Sequence, residues 1–310
     1  MGLTVQVLIT GLSLGAVYAL FAISIALIYR LTGVVHLALG ELAGVCAFAT
    51  LWISYGPGAA AASEERLPFL LGAVLALAGT VALGAALFIV AIRPFIRRSF
   101  SLGWIGGIVA AAVTLRGLIG FFFSGASYTL PDPLPLKNLG TDGLIVLSNG
   151  ATFQARVIVV GLIALALALA ADRVLSHSRW GAALRAISED TVAAALSGVP
   201  IERSLVLAFA GAAALAGAAA LLALPGSAMT INTGTLLGLK GLVAAVAAGF
   251  GRPRKVLAIA LGLGLLETAI SVLDLGPLEL GPAYRDVIPI ALVILFMAFR
   301  PQRTVLQESA

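Results

Sequence analysis

Disulfide and metal chemistry are the first things this chain lacks. It holds one cysteine, Cys46, and two histidines, His36 and His177, among 310 residues. That excludes a disulfide framework and argues against a protein-built metal site. Charge is scarce too: 11% of the residues are Asp, Glu, Lys or Arg, against about 25% in ordinary globular domains. No Walker A loop is present. The nearest stretch, Gly234–Gly241, has the wrong spacing and no hydroxyl after Lys240. The chain is therefore not read as an enzyme, and no cofactor of its own is expected. Met1–Thr10 has no basic start and runs into a long apolar stretch, so no cleavable signal peptide is expected.

What is abundant is apolar surface. Hydrophobic residues make up 61% of the chain, more than a soluble core could hide, so most of its solvent is a bilayer. The net charge of +5 does not point to nucleic acid, because the basic residues lie between apolar runs and form no single patch. A membrane-crossing helix needs about 20 apolar residues. The candidates are Val5–Tyr29, Val34–Tyr55, Leu67–Ile92, Leu102–Phe123, Phe153–Ala171, Leu205–Leu224, Thr235–Phe250, Val256–Leu273 and Val287–Phe299. The expected fold is an all-α polytopic bundle of eight or nine spans, forming one membrane domain over residues 1–310. Thr235–Phe250 is short and carries Gly238, Gly241 and Gly249, so a broken or re-entrant helix is an alternative there.

Loop charges test the count. With the N-terminus outside, the inner side receives Arg30, Arg93, Arg97, Arg98, Arg173, Arg179, Arg185, Arg203, Arg252, Arg254, Lys255, Arg300 and Arg303. The outer side receives only Arg66, Lys137, Arg156 and Arg285. This bias predicts N-out, C-in and nine crossings, with Thr235–Phe250 crossing fully. Glycines at helical spacing (Gly11 and Gly15, Gly40 and Gly44, Gly103 and Gly107, Gly234 and Gly238) predict close helix packing, inside the bundle or, as the alternative, at a subunit interface. The stretch Ser124–Thr152, with Pro131, Pro133 and Pro135, reads as an outer connector, with closure of the outer mouth or contact with an external donor protein as alternatives.

The polar connector Asp172–Arg203 is the most informative segment. Within it, Gly181–Leu196 has the composition of a helix, with Arg185 and Glu189 one turn apart and able to pair. Ala193, Ala194, Ala195 and Leu196 supply an apolar ridge, and Gly198 with Pro200 supplies a stop. A short, charge-flanked helix on a loop suits a groove on another protein.

The segment RAISEDTVAAALSGVP resembles the cytoplasmic coupling segment of permeases in the branched-chain amino acid ABC importer family. The recurring residues fall at Arg185, Glu189, Asp190, Ala194 and Gly198. GLSLGAVYALFAISIALIYRLTGVVHLALGEL is similar to the family's first two spans, including the element His36, Ala38, Gly40 and Glu41. GLKGLVAAVAAGFG, GLGLLE and AYRDVIPIALVILFMAFRPQ resemble its closing third. The length is similar to that of the shorter of the two usual permease subunits. This resemblance implies a multi-pass protein of a bacterial cytoplasmic membrane. It implies a second homologous permease, two ATP-binding cassette ATPases and an extracytoplasmic substrate-binding protein as partners, with ATP acting through those partners. Departures at His36, where relatives often carry Asn, leave urea, amide or sugar permeases as alternatives. An ion-coupled carrier using Glu41 or Glu267 is a reading from a different class.

Ionisable groups within spans carry the remaining signal, since each costs on the order of 3 kcal/mol at a helix centre and usually faces a bundle interior or a polar path. Glu41, Arg116, Lys240 and Glu267 are such groups. They are expected either to line the translocation path or to form buried ion pairs, with His36 as an interfacial residue. Gly40, beside Glu41, lets a substrate or another backbone approach.

Overall fold

The computed structural model describes residues 2–56, 66–96, 103–123, 127–133, 144–146, 152–272 and 291. Long runs of Ala, Leu, Val and Ile satisfy their backbone groups within helices, the form an apolar solvent demands. The helices are α1 (Gly2–Thr32), α2 (Ala38–Tyr55), α3 (Phe69–Leu87), α4 (Arg93–Ile96), α5 (Gly103–Phe122), α6 (Ala155–His177), α7 (Arg179–Glu189), α8 (Thr191–Leu196), α9 (Ile201–Ala223), α10 (Thr233–Ala247) and α11 (Pro253–Val272). A π-turn at Phe88–Ile92 joins α3 to α4. Two short antiparallel pairs complete the description: β1 (Tyr128–Thr129) with β4 (Ala228–Met229), and β2 (Leu144–Val146) with β3 (Thr152–Gln154). Among the described residues seven helices are long and apolar enough to cross a membrane, and α10 is a shorter apolar one. The expected ninth span, Val287–Phe299, lies outside the described residues, as does most of Ser124–Thr152.

The helix α1 is the central pillar. Its residues from Ala16 to Ile28 are almost all buried, and α6, α9, α10 and α11 pack around it. By contrast α3, α5 and α6 present apolar faces outward, with Leu70, Phe121 and Leu162 exposed. That is the pattern of helices whose outer face meets lipid or another subunit.

Glycine sets the closest approaches. A Cβ on Gly264 would collide with Gly15 N and Gly11 O, and one on Gly15 would meet Ala260 O at 2.8 Å. On the other side, Gly40 and Gly44 of α2 lie against Gly234 and Gly238 of α10. These glycine pairs therefore serve packing within the chain, as the spacing predicted.

The segment Thr235–Phe250 resolves into a broken crossing. Leu222, at the end of α9, accepts a hydrogen bond from Arg156 at the start of α6. Phe250, just past α10, stacks on Tyr29 near the end of α1, centroids 3.7 Å apart. The chain therefore passes from one end of the bundle to the other between α9 and α11. Its helix spans only 15 residues, about 22 Å at 1.5 Å per residue, less than the roughly 30 Å hydrocarbon core. The remainder of the path is the extended segment holding β4, pinned by the Gly226 N–H to Leu130 O bond of 2.7 Å. The amino-terminal turn of α10 consequently opens inside the bundle, beside Arg116.

The polar connector also differs from expectation. Gly181–Leu196 is not one helix: it breaks at Asp190, whose Oδ1 caps α8 by accepting from Val192 N at 2.8 Å and Ala193 N at 2.9 Å. A side-chain cap of this kind competes with helix continuation, which the alanine-rich composition concealed. Arg185 donates to Leu175 O and forms no pair with Glu189. Of the expected apolar ridge, Ala193, Ala195 and Leu196 are exposed, joined by Val192, while Ala194 is buried.

The α1–α11 contact yields a test. Gly264→Ile should push the two backbones apart and destabilise the bundle by on the order of 3 kcal/mol, the upper range for overpacking. Gly262, whose Cβ position meets nothing within 4 Å, should accept the same change with little effect. Thermal unfolding of the purified variants compares them, and equal melting shifts would contradict this packing.

Candidate functional site

The four ionisable residues expected at depth form two separate clusters, each joining three helices. In the first, Lys240 of α10 donates to Glu267 Oε1 of α11 at 2.9 Å and to the Tyr18 hydroxyl of α1 at 3.0 Å. The Tyr18 hydroxyl in turn donates to Glu267 Oε2 at 2.9 Å. Both carboxylate oxygens are thus engaged. Glu267 is 1% exposed, and the ammonium also sits 5.3 Å from the centre of the Tyr18 ring, which adds a cation–π attraction. Gly241, next to Lys240, lies against Phe21 so closely that a Cβ would clash. This closeness brings α10 near enough to α1 for the short reach from Lys240 to Tyr18.

The second cluster sits where α2, α5 and α10 meet. Glu41 lies in the first turn of α2, and Thr235 lies in the first turn of α10. Arg116 Nη2 donates to Glu41 Oε1 at 2.8 Å, and Thr235 Oγ1 donates to the same oxygen at 2.7 Å. Arg116 also donates to Thr235 Oγ1. Two helix amino-termini converge here, and their partial positive charge favours the carboxylate. The partners differ in exposure: the Glu41 side chain is 4% exposed and the Arg116 side chain 41%. Glu41 Oε2 is buried with no hydrogen-bond partner.

A cavity of about 360 Å³ opens beside this cluster. Its polar wall is His36, Glu41, Arg116 and Thr235, and its apolar wall includes Ile25, Val109, Val113, Leu239 and Leu242. Gly40 and Gly238, where α2 and α10 nearly touch, also line it. His36, expected at an interface, is instead 2% exposed and packs on the Phe209 ring, centroids 5.2 Å apart. Its Nδ1 has no partner.

The remaining predicted residues stand apart, on α7 and α8. Glu189 and Asp190 are exposed, Arg185 is half-buried against the end of α6, and Ala194 anchors α8 to the bundle. Gly198 takes φ +81°, the left-handed conformation glycine adopts freely, and Val199 N closes back on Ala194 O at 3.1 Å. Beneath this unit Asp172 is buried and accepts from Arg254 at 2.8 Å and from Ser176 at 3.1 Å. Among the described residues no cluster of three His, Cys, Asp or Glu side chains suits a metal ion.

Sequence reasoning missed Tyr18, Thr235 and the Asp172–Arg254 pair. A hydroxyl inside an apolar helix needs a partner when buried, and that rule marks Tyr18 in GAVYAL. Thr235 carries no comparable signal.

Comparison with known proteins follows the same lines. The family described as branched-chain amino acid transport system / permease component matches residues 7–297. The chain is 27% identical over 302 residues to the high-affinity branched-chain amino acid transport system permease protein BraD of Pseudomonas aeruginosa, covering 96% of this chain and 94% of that protein. It is 27% identical over 301 residues to the corresponding permease protein LivH of Escherichia coli K12, covering 96% and 93%. Among solved structures, PsaBC from Streptococcus pneumoniae in complex with Fab aligns with a TM-score of 0.48 and 14% identity, over 96% of this chain and 92% of that one.

The first cluster makes a quantitative prediction. Lys240→Met leaves Glu267 buried without its cation and should cost about 3–5 kcal/mol. Adding Glu267→Gln removes the orphaned charge and should recover most of the loss. A double-mutant cycle on thermal stability measures this, and additive losses would mean that the two residues do not act as a pair.

Proposed function

The chain belongs to the family of branched-chain amino acid transport system permease components, and from that premise we propose that it is one membrane subunit of an ATP-driven importer for branched-chain or related hydrophobic amino acids. The observation that carries this reading is the α7–α8 unit. It holds two short helices with exposed Val192, Leu196, Glu189 and Asp190, anchored to the bundle through Ala194 and Arg185. Such a knob of apolar and acidic side chains fits a groove on a soluble partner. With no phosphate-binding loop in this chain, the partner is an ATPase, present as a pair. A second homologous permease completes the pore, and an extracytoplasmic binding protein delivers substrate. This subunit binds no cofactor of its own, and ATP acts through the partners.

The basic residues set the orientation. Arg30, Arg179, Arg185, Arg252, Arg254 and Lys255 gather at the end of the bundle that carries α7 and α8. Positive loops stay cytoplasmic, so that end faces the cytoplasm and the amino terminus lies outside, in a bacterial inner membrane. Of the two carboxylates an ion-coupled carrier would use, Glu267 is already held on both oxygens, by Lys240 and by the Tyr18 hydroxyl.

Two experiments test this reading. In a Cys46→Ala background, a cysteine at Ser127 should react with an impermeant reagent from outside, while one at Ser197, just after α8, should not. Reaction at Ser197 in sealed cells would invert the topology. In the complete complex, Glu189→Ala combined with Asp190→Asn removes both charges but keeps the α8 cap. Uptake of leucine should fall at least tenfold while the amount of folded permease stays unchanged. Uptake at the wild-type rate would separate this unit from ATPase coupling.

A further inference from the structure

The two buried ion clusters differ in one respect. Around Glu267 every polar atom of the carboxylate is engaged, so that cluster is closed. Around Glu41 both donors, Arg116 and Thr235, converge on Oε1, and Oε2 is left buried and unpartnered. Leaving a buried acceptor unmade costs about 1–3 kcal/mol, more for a charged group, and such an atom in a native fold calls for an explanation. The explanation lies next to it. The cavity that Glu41 lines has a volume of about 360 Å³, within the roughly 300–1,000 Å³ range of small-ligand sites. The same wall carries a second unpartnered polar atom, His36 Nδ1.

Resting on the importer reading above, we propose that this cavity is the transient binding site for an aliphatic zwitterion, whose ammonium takes Glu41 and whose carboxylate takes Arg116. The ligand replaces the Glu41–Arg116 ion pair charge for charge. Arg116 is the partner able to move, because its side chain is 41% exposed while that of Glu41 is 4% exposed. When the guanidinium swings away, Glu41 presents both oxygens to the ammonium, and Thr235 keeps the carboxylate oriented. The convergent amino-termini of α2 and α10 favour the Glu41 carboxylate that receives the ammonium. Ile25, Val109, Val113, Leu239 and Leu242 receive the aliphatic side chain, and the unpartnered Nδ1 of His36 offers one more polar contact. Since an existing ion pair is broken to admit the ligand, the net gain is small and affinity low. A pathway that must release its cargo requires this.

The test uses the assembled complex with its ATPases and binding protein in liposomes. A diazirine analogue of leucine, photolysed during turnover, should label α5 and α10 at Val109, Val113, Leu239 or Leu242, and excess leucine should suppress that labelling. The decisive variant is Glu41→Gln combined with Arg116→Gln, which leaves no unpaired charge. If the pair only holds helices together, this neutral double variant should assemble and transport normally. On the present proposal it assembles, yet both labelling and leucine uptake fall at least tenfold. Normal uptake by the double variant, or leucine-suppressible labelling confined to other surfaces, overturns the site. Failure of the wild-type complex to accumulate leucine with ATP overturns instead the importer reading on which the site rests. Should the double variant not assemble, the labelling map of the wild-type complex decides alone.

Discussion

Burying a charge where no water can reach it is the constraint that organises this bundle. An isolated Lys or Glu at membrane depth is costly, and the protein meets that cost by joining Lys240 of α10 to Glu267 of α11 across the Tyr18 hydroxyl of α1. Such short bonds need backbones that nearly touch. Gly11, Gly15 and Gly264 let α1 and α11 meet, and Gly241 lets α10 meet α1 at Phe21. Glycine packing and ion pairing are therefore one device: the first sets the separation at which the second becomes favourable. Removing either leaves the other without its purpose.

The same device explains why α10 is short. A helix that began at the end of the bundle would carry its first turn past α2, and its free amino-terminal N–H groups would meet no acid. By entering as an extended segment held to β1, the chain instead places that first turn at the level of Glu41 and Arg116. Irregular backbone at such depth is tolerated only when buried in protein or lining a cavity. Both conditions hold here, since β4 pairs with β1 and the first turn of α10 borders the cavity through Thr235.

Much of this was legible in the sequence, and the reason is physical. Apolar runs near 20 residues and glycines four apart are local signals, so seven spans and the packing of α1, α2 and α10 could be anticipated. The charges Glu41, Arg116, Lys240 and Glu267 stood out because each is expensive where it sits. Their pairing was not legible. Glu41 and Arg116 are 75 positions apart, Lys240 and Glu267 27 apart, and Tyr18 and Glu267 249 apart. Only the three-dimensional fold decides among the combinations. A hydroxyl such as that of Thr235 costs too little in a helix to announce itself. The break at Asp190 was hidden differently: alanine favours an unbroken helix, and one aspartate cap was enough to override it.

Two clusters so alike in composition invite the question of why only one is complete. Glu267 and Tyr18 are 1% exposed and the Lys240 side chain 14%. A cluster of that kind has a single arrangement, because moving any member strands another in apolar surroundings. It suits a joint that must not move. The Glu41 cluster has one member at 41% side-chain exposure, beside open volume, with an acceptor to spare. It has a second arrangement within reach at little desolvation cost. A permease needs both kinds of joint. On the proposed function, helices driven through α7–α8 would move as units, and the passage between them would open its polar contacts to a passing zwitterion. Placing the closed cluster on α1, α10 and α11 and the open one on α2, α5 and α10 makes α10 the element shared by the rigid joint and the adaptable one. Displacement of α10 would therefore alter the cavity while leaving its tie to α1 and α11 intact.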